Sequence, residues 1–338
     1  MKYFVPAICI LLLLLLPDIS AQDNRGVIQS AANQAARATT RSIHTGGDSI
    51  RWTKGGSFSF GVTQNSYHDW VGGGENSAAG NIGLEWYFNY RKKNITWENF
   101  FTGGLARIYR TSNFSKTTDQ FQFNTKVNYR ISRKWAYTVN SQFMSQFGPL
   151  YNYGKDTTKK SDFMIPAYLY VRVGLDYKPH TAISIIGSPF MGKSTFVCTN
   201  ELRLQKQYGM RIRTDENGLE YGDKLKQEWG GGVGLTFNKA LAKIVTINSS
   251  ADFFSNYKNK PRNIDVDLWF KVNMPITHKM STAITFWGKY DNDIKIDGNG
   301  PKFQWRQDMI ITFSLDLSDP KDLVPTRVLR KNLSNAEN

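Results

Sequence analysis

The chain has 338 residues, with 43 Lys and Arg against 28 Asp and Glu, a formal net charge of +15 and 14% aromatic residues. Its mean hydropathy is −0.44, and after residue 21 nothing approaches the ~18 consecutive apolar residues of a membrane-spanning helix. One cysteine, Cys198, remains after that point, which excludes an intrachain disulfide.

Residues 1–21 read as a secretory signal, with Lys2 as the positive end and Ile8 to Leu16 as the apolar stretch. Ile19-Ser20-Ala21 supplies a small-residue cleavage site. No Cys stands at the mature N-terminus, so a lipid-anchored chain is not expected. Residues 22–55 are polar and Ala/Gln/Arg-rich, with weak helical character over Val27 to Ser42, and read as a periplasmic N-terminal segment.

From Gly56 to Leu315 one unit recurs: about ten residues of apolar/polar alternation, then a break. Phe121, Phe123, Thr125, Val127 and Tyr129 fall on one face, and Gln122, Asn124, Lys126, Asn128 and Arg130 on the other. Strands are expected at 56–66, 78–90, 95–108, 120–131, 134–147, 164–178, 182–190, 227–238, 244–256, 264–276, 279–290 and 302–316. Between them short turns alternate with long loops at 67–77, 109–119, 148–163, 191–226, 257–263 and 291–301. Residues 318–338, with Pro320, Pro325 and the basic Arg327, Arg330 and Lys331, read as a periplasmic tail.

The pattern is that of an all-β, antiparallel transmembrane β-barrel of about twelve strands, whose side chains alternate between lipid and lumen. An even count keeps both termini on the short-turn side. A hairpin inside 191–226 must therefore add two strands, making fourteen, or none. A charge at the lipid-facing midplane costs about 2–4 kcal/mol. That cost turns Leu84, Trp86, Val171, Val173, Leu268, Phe270, Ile311 and Phe313 outward. The expected lumen-lining charges are Glu85, Lys126, Arg172, Asp176, Asp265, Asp267, Lys271, Arg306 and Asp308. With both signs present they can line a water-filled pore or pair across it and plug it.

Several segments resemble an uncharacterised family of Bacteroidota outer-membrane β-barrels known mainly as a domain of unknown function. They are Ser57 to Ser77, Phe121 to Tyr129, Ser188-Pro189 with Gly192-Lys193, Asp252 to Asp267, and Tyr290 to Ile294. The resemblance spans almost the whole mature chain and implies an outer-membrane location, without an activity to carry over. The tail after Leu317 departs from the family's usual finish.

Two motifs suggest chemistry and are weighed against plainer readings. Gly187 to Ser194 has the spacing of a phosphate-binding loop, but the β-prone Thr195 to Thr199 follows where a helix is needed. A strand ending in a Gly/Pro loop is the expected reading. His68, beside Asp69, is the one histidine placed for an outer-face active site, and no second catalytic group can be set beside it. His44, His180 and His278 share no metal-binding spacing.

No cofactor and no catalysis are expected. The net charge, spread over turns, suits lipid headgroups and lipopolysaccharide; export argues against nucleic acid. The charged 191–226 loop is left open between a lid, a lipopolysaccharide contact, a docking surface and a solvated loop. The expected function is a non-catalytic subunit or scaffold of an envelope assembly with a protein partner. A narrow passive channel for small polar solutes comes second and an outer-membrane lipid-modifying enzyme third.

Overall fold

The computed structural model describes residues 51–65, 77–110, 114–151, 159–205, 208–242, 245–258, 260–277, 280–290 and 303–316. The signal, most of the N-terminal segment, the tail, and His44, His68 and His278 lie outside them. In chain order the elements begin with β1 (Arg51–Asn65), β2 (Ser77–Lys92), β3 (Ile95–Arg110), β4 (Phe114–Arg130), β5 (Trp135–Ser145), β6 (Leu150–Tyr151) and β7 (Lys159–Ser161). There follow β8 (Ala167–His180), β9 (Ile183–Phe196), the short helix α1 (Asn200–Leu204), β10 (Ile212–Thr214), β11 (Glu220–Gly222) and β12 (Leu225–Ala242). The last four are β13 (Val245–Asn256), β14 (Ile264–Pro275), β15 (Met280–Tyr290) and β16 (Gln304–Asp316).

Twelve of the strands close into one antiparallel barrel: β1, β2, β3, β4, β5, β8, β9, β12, β13, β14, β15 and β16, with β16 returning to β1. The two short hairpins, β6–β7 and β10–β11, stand apart from the barrel sheet. The hairpin within 191–226 thus adds no strand to the wall, and the parity of twelve holds. Neighbouring ladders differ in length. β1 pairs with β2 from Arg51↔Arg91 to Asn65↔Ser77, whereas the described pairs between β1 and β16 run only from Ser57↔Asp316 to Phe60↔Phe313.

Register carries one face around the wall. Leu84 is flanked by Phe58 and Gly103, Phe101 by Trp86 and Phe123, and Val139 by Val127 and Val173. This face is the outer one: Ile82, Leu84, Trp86, Val127, Val139, Val173, Leu175, Val233, Leu235, Phe270 and Ile311 are all exposed. Rings concentrate near its two rims. Toward the short turns the ring of Trp52 lies 4.8 Å from that of Tyr90, and Trp135 4.5 Å from Tyr177, both pairs tilted. Toward the long loops Phe121 lies 4.8 Å from Phe147 and Phe190 5.1 Å from Trp229. On β4 the distance from Tyr129 to Phe121 is about 26 Å along the strand, or about 20 Å across the membrane at a tilt of roughly 40°. An apolar band of that height between aromatic rims is the surface a bilayer requires.

The larger departures from the expected boundaries are at β1, the β3–β4 hairpin and β9. β1 begins at Arg51, inside the segment read as N-terminal, because its first residues find a full ladder on β2. The expected loop 109–119 is mostly strand: β3 runs to Arg110, β4 starts at Phe114, and pairing continues to Tyr109↔Phe114 past a bulge at Ala106/Arg107. A hairpin that outgrows the bilayer is wetted on both faces, so its alternation fades while its backbone bonds persist. β9 continues to Phe196 instead of ending at 190, because a bulge around Pro189 absorbs the break.

Beyond the long-loop rim, residues 159–166 fold against residues 197–205 and 208–210. Ile165, Val197, Leu202, Tyr208 and Met210 bury a small apolar cluster. The Tyr208 hydroxyl donates to the Lys160 carbonyl, and Gln205 Nε2 to the Lys159 carbonyl at 2.8 Å. Arg203 ties α1 to β11 by donating from Nη1 to the Gly222 carbonyl at 2.7 Å.

Candidate functional site

The inner wall gathers opposed charges in a protected setting, and the ladders decide which side chains reach it. Glu98↔Lys126, Lys126↔Asn140 and Asn140↔Arg172 share a level, as do Ala136↔Asp176 and Asp176↔Ile186. The same face continues through Gly234↔Asp252, Asp252↔Asp267 and Asp267↔Lys289.

Nearest the short turns, Asp176 is fully buried. It accepts from Lys126 Nζ at 2.9 Å across the intervening β5, from Lys178 Nζ at 3.3 Å, and from the Ser184 hydroxyl at 2.5 Å. Around it Gln122, Asn124, Asn128 and Thr138 are also buried, forming a polar inner surface on β4 and β5. A carboxylate removed from water in this way requires such donors.

Midway along the wall, Arg172 Nη2 on β8 meets Asp252 Oδ1 on β13 at 2.8 Å, reaching past β9 and β12. Gly234 on β12 makes the crossing possible. A Cβ there would stand 2.6 Å from Arg172 Nη1 and 2.8 Å from Asp252 Oδ1. Toward the long loops Lys193 Nζ lies 3.2 Å from Asp265 Oδ2 and 3.7 Å from the centre of the Phe254 ring, combining an ion pair with a cation–π contact.

Of the nine expected lumen charges, the structure brings Lys126 and Asp176 together and gives Arg172 and Asp265 other partners. Asp267 is buried on the same face; Lys271, opposite Asn248 and Thr285, is half-buried, and Glu85 is exposed. Arg306 and Asp308 pair through their backbones with Trp287 and Thr285, and their side chains are outside the described residues.

Three ion-pair partners, Lys178, Asp252 and Lys193, stand outside the nine expected positions. Asp252 could have been found from its alternation with Phe254 opposite the outward Phe253. Lys193 was hidden by the bulge: inward positions are even through Ser188 and odd from Met191 onward, so a strict period of two fails there. The phosphate-loop spacing therefore lies within a strand, and its lysine binds a carboxylate. His180, exposed at the end of β8, accepts the Ala182 amide in its turn at 3.1 Å.

No curated protein matches the chain. Solved structures with a similar course include the translocator domain of the autotransporter NalP from Neisseria meningitidis, at 10% identity and a TM-score of 0.35, covering 86% of this chain and 99% of that one. The NanC porin gives 8% identity and a TM-score of 0.33, with 78% and 98% covered. The Pseudomonas putida toluene transporter TodX gives 7% identity and a TM-score of 0.32, with 89% and 99% covered. Residues 62–151 match a family model described as a protein of unknown function, DUF3078. That stretch runs from the end of β1 to β6 and takes in Phe121 to Tyr129, one of the segments on which the resemblance rests.

Proposed function

We propose that this chain is a non-catalytic β-barrel of a Gram-negative outer membrane that serves as a subunit or scaffold of an envelope assembly, with a lumen that does not conduct. The observation that carries this reading is the commitment of inner-wall charges to each other. Lys126–Asp176, Arg172–Asp252 and Lys193–Asp265 are each closed at 3.2 Å or less between strands that are not neighbours. A permeation path works when its charges hold a solute weakly enough to release it. Charges held in pairs between strands β4, β8, β9, β13 and β14 tie these strands together and are not free to hold a passing solute.

Planar-bilayer recording on the full chain tests the closed lumen. Conductance indistinguishable from the lipid background is the expected result. A steady ohmic current that survives dilution to single insertions overturns it. The narrow passive channel for small polar solutes then takes its place, favoured by Glu85, which stays exposed on the inner face.

A further inference from the structure

At the short-turn end the barrel holds a second feature that the closed-lumen reading does not use. A cleft opens between the β2–β3 turn, the β4–β5 turn and the end of β8, and six cationic residues line it: Arg91, Lys93, Arg130, Arg133, Lys134 and Lys178. One carboxylate, Asp176, stands in the lining, and it is already bound by Lys126, Lys178 and Ser184. The cleft therefore carries a large excess of positive charge.

The cleft has a defined shape. The Arg130 amide donates to the Asn94 carbonyl at 2.8 Å and the Lys178 amide to the Lys134 carbonyl at 2.8 Å, which locks both turns to the wall. Arg130 Nη2 donates to Asn94 Oδ1 at 3.3 Å and to the Lys93 carbonyl at 3.5 Å, and the buried Asn128 donates from Nδ2 to Thr96 Oγ1 at 3.2 Å, so side chains as well as backbone tie the turns to the strand ends.

We infer that this cleft binds a phosphate ester. The phosphate oxygens meet the arginine and lysine side chains of the lining, which supply charge-assisted bonds. Glycerol phosphate is a simple group of this kind, and it has two sources: a soluble phosphate ester or the headgroup of phosphatidylglycerol. Calling this mouth periplasmic rests on the outer-membrane reading, but the site itself does not depend on whether the barrel conducts.

The test uses the folded full chain in neutral detergent at low ionic strength, where surface charges are least screened. Glycerol 3-phosphate is titrated by calorimetry, and phosphatidylglycerol retention is followed by native mass spectrometry against phosphatidylethanolamine. The variants are Arg133→Gln with Lys134→Gln on one turn, and Lys93→Gln on the other. All three residues are exposed, so both variants are expected to keep the fold. Saturable heat from glycerol 3-phosphate, weakened about tenfold or more in the double variant, identifies a soluble ester. Selective retention of phosphatidylglycerol that the variants lose, without heat from the soluble probe, identifies a lipid headgroup. Absence of both, or binding that neither variant changes, overturns the proposal.

Discussion

Glycine at position 234 shows how one missing methyl group shapes the inner wall. The Arg172 guanidinium and the Asp252 carboxylate meet directly above it, so a side chain of any size must push one of them away. Gly234→Ala is expected to lower barrel stability by about 1–3 kcal/mol, the usual range for overpacking. Gly187→Ala, on the outer side of the neighbouring strand β9, meets nothing within 4 Å and is expected to change stability by no more than about 0.5 kcal/mol. Urea midpoints of the two variants in detergent decide the matter; equal midpoints would show that Arg172 and Asp252 do not need the space. The same residues show what a sequence reveals. Arg172 was readable as an inward charge because Val171 and Val173 flank it. Its partner lies 80 positions away and three strands along the wall, a distance that only the ladder can bring together.

At the level of the strand, β2 separates two media. Leu84 points outward between Phe58 and Gly103, and Glu85 points inward between Ser57 and Thr102. Leu84→Arg is expected to cost about 2–4 kcal/mol in phospholipid vesicles if its level is near the midplane, whereas Glu85→Arg should cost little. Unfolding midpoints that move equally for the two would mean that both faces see water, as in a soluble barrel. All twelve wall strands were legible because lipid contact on one side forces a period of two. Strand ends were less so. At the β3–β4 hairpin the strands run past the expected break, β3 to Arg110 and β4 from Phe114. At Pro189 the bulge shifts the phase, which hid both the end of β9 and the role of Lys193. The cluster of Ile165, Val197, Leu202, Tyr208 and Met210 left no periodic trace, since its apolar residues are scattered along two loops.

For the whole molecule, the proposed scaffold role makes association the property to measure. The full chain, tagged at its own locus and extracted from outer membranes in mild detergent, is expected to bring a stoichiometric protein partner with it. A lone, monodisperse barrel would remove the scaffold reading and leave the channel to be judged by its current. The joint between β1 and β16, whose described pairs run from Ser57↔Asp316 to Phe60↔Phe313, is where the first and last strands of the wall meet. A wall closed in this way offers no free strand edge, so any partner must dock on side chains or loops and cannot add a strand to the sheet.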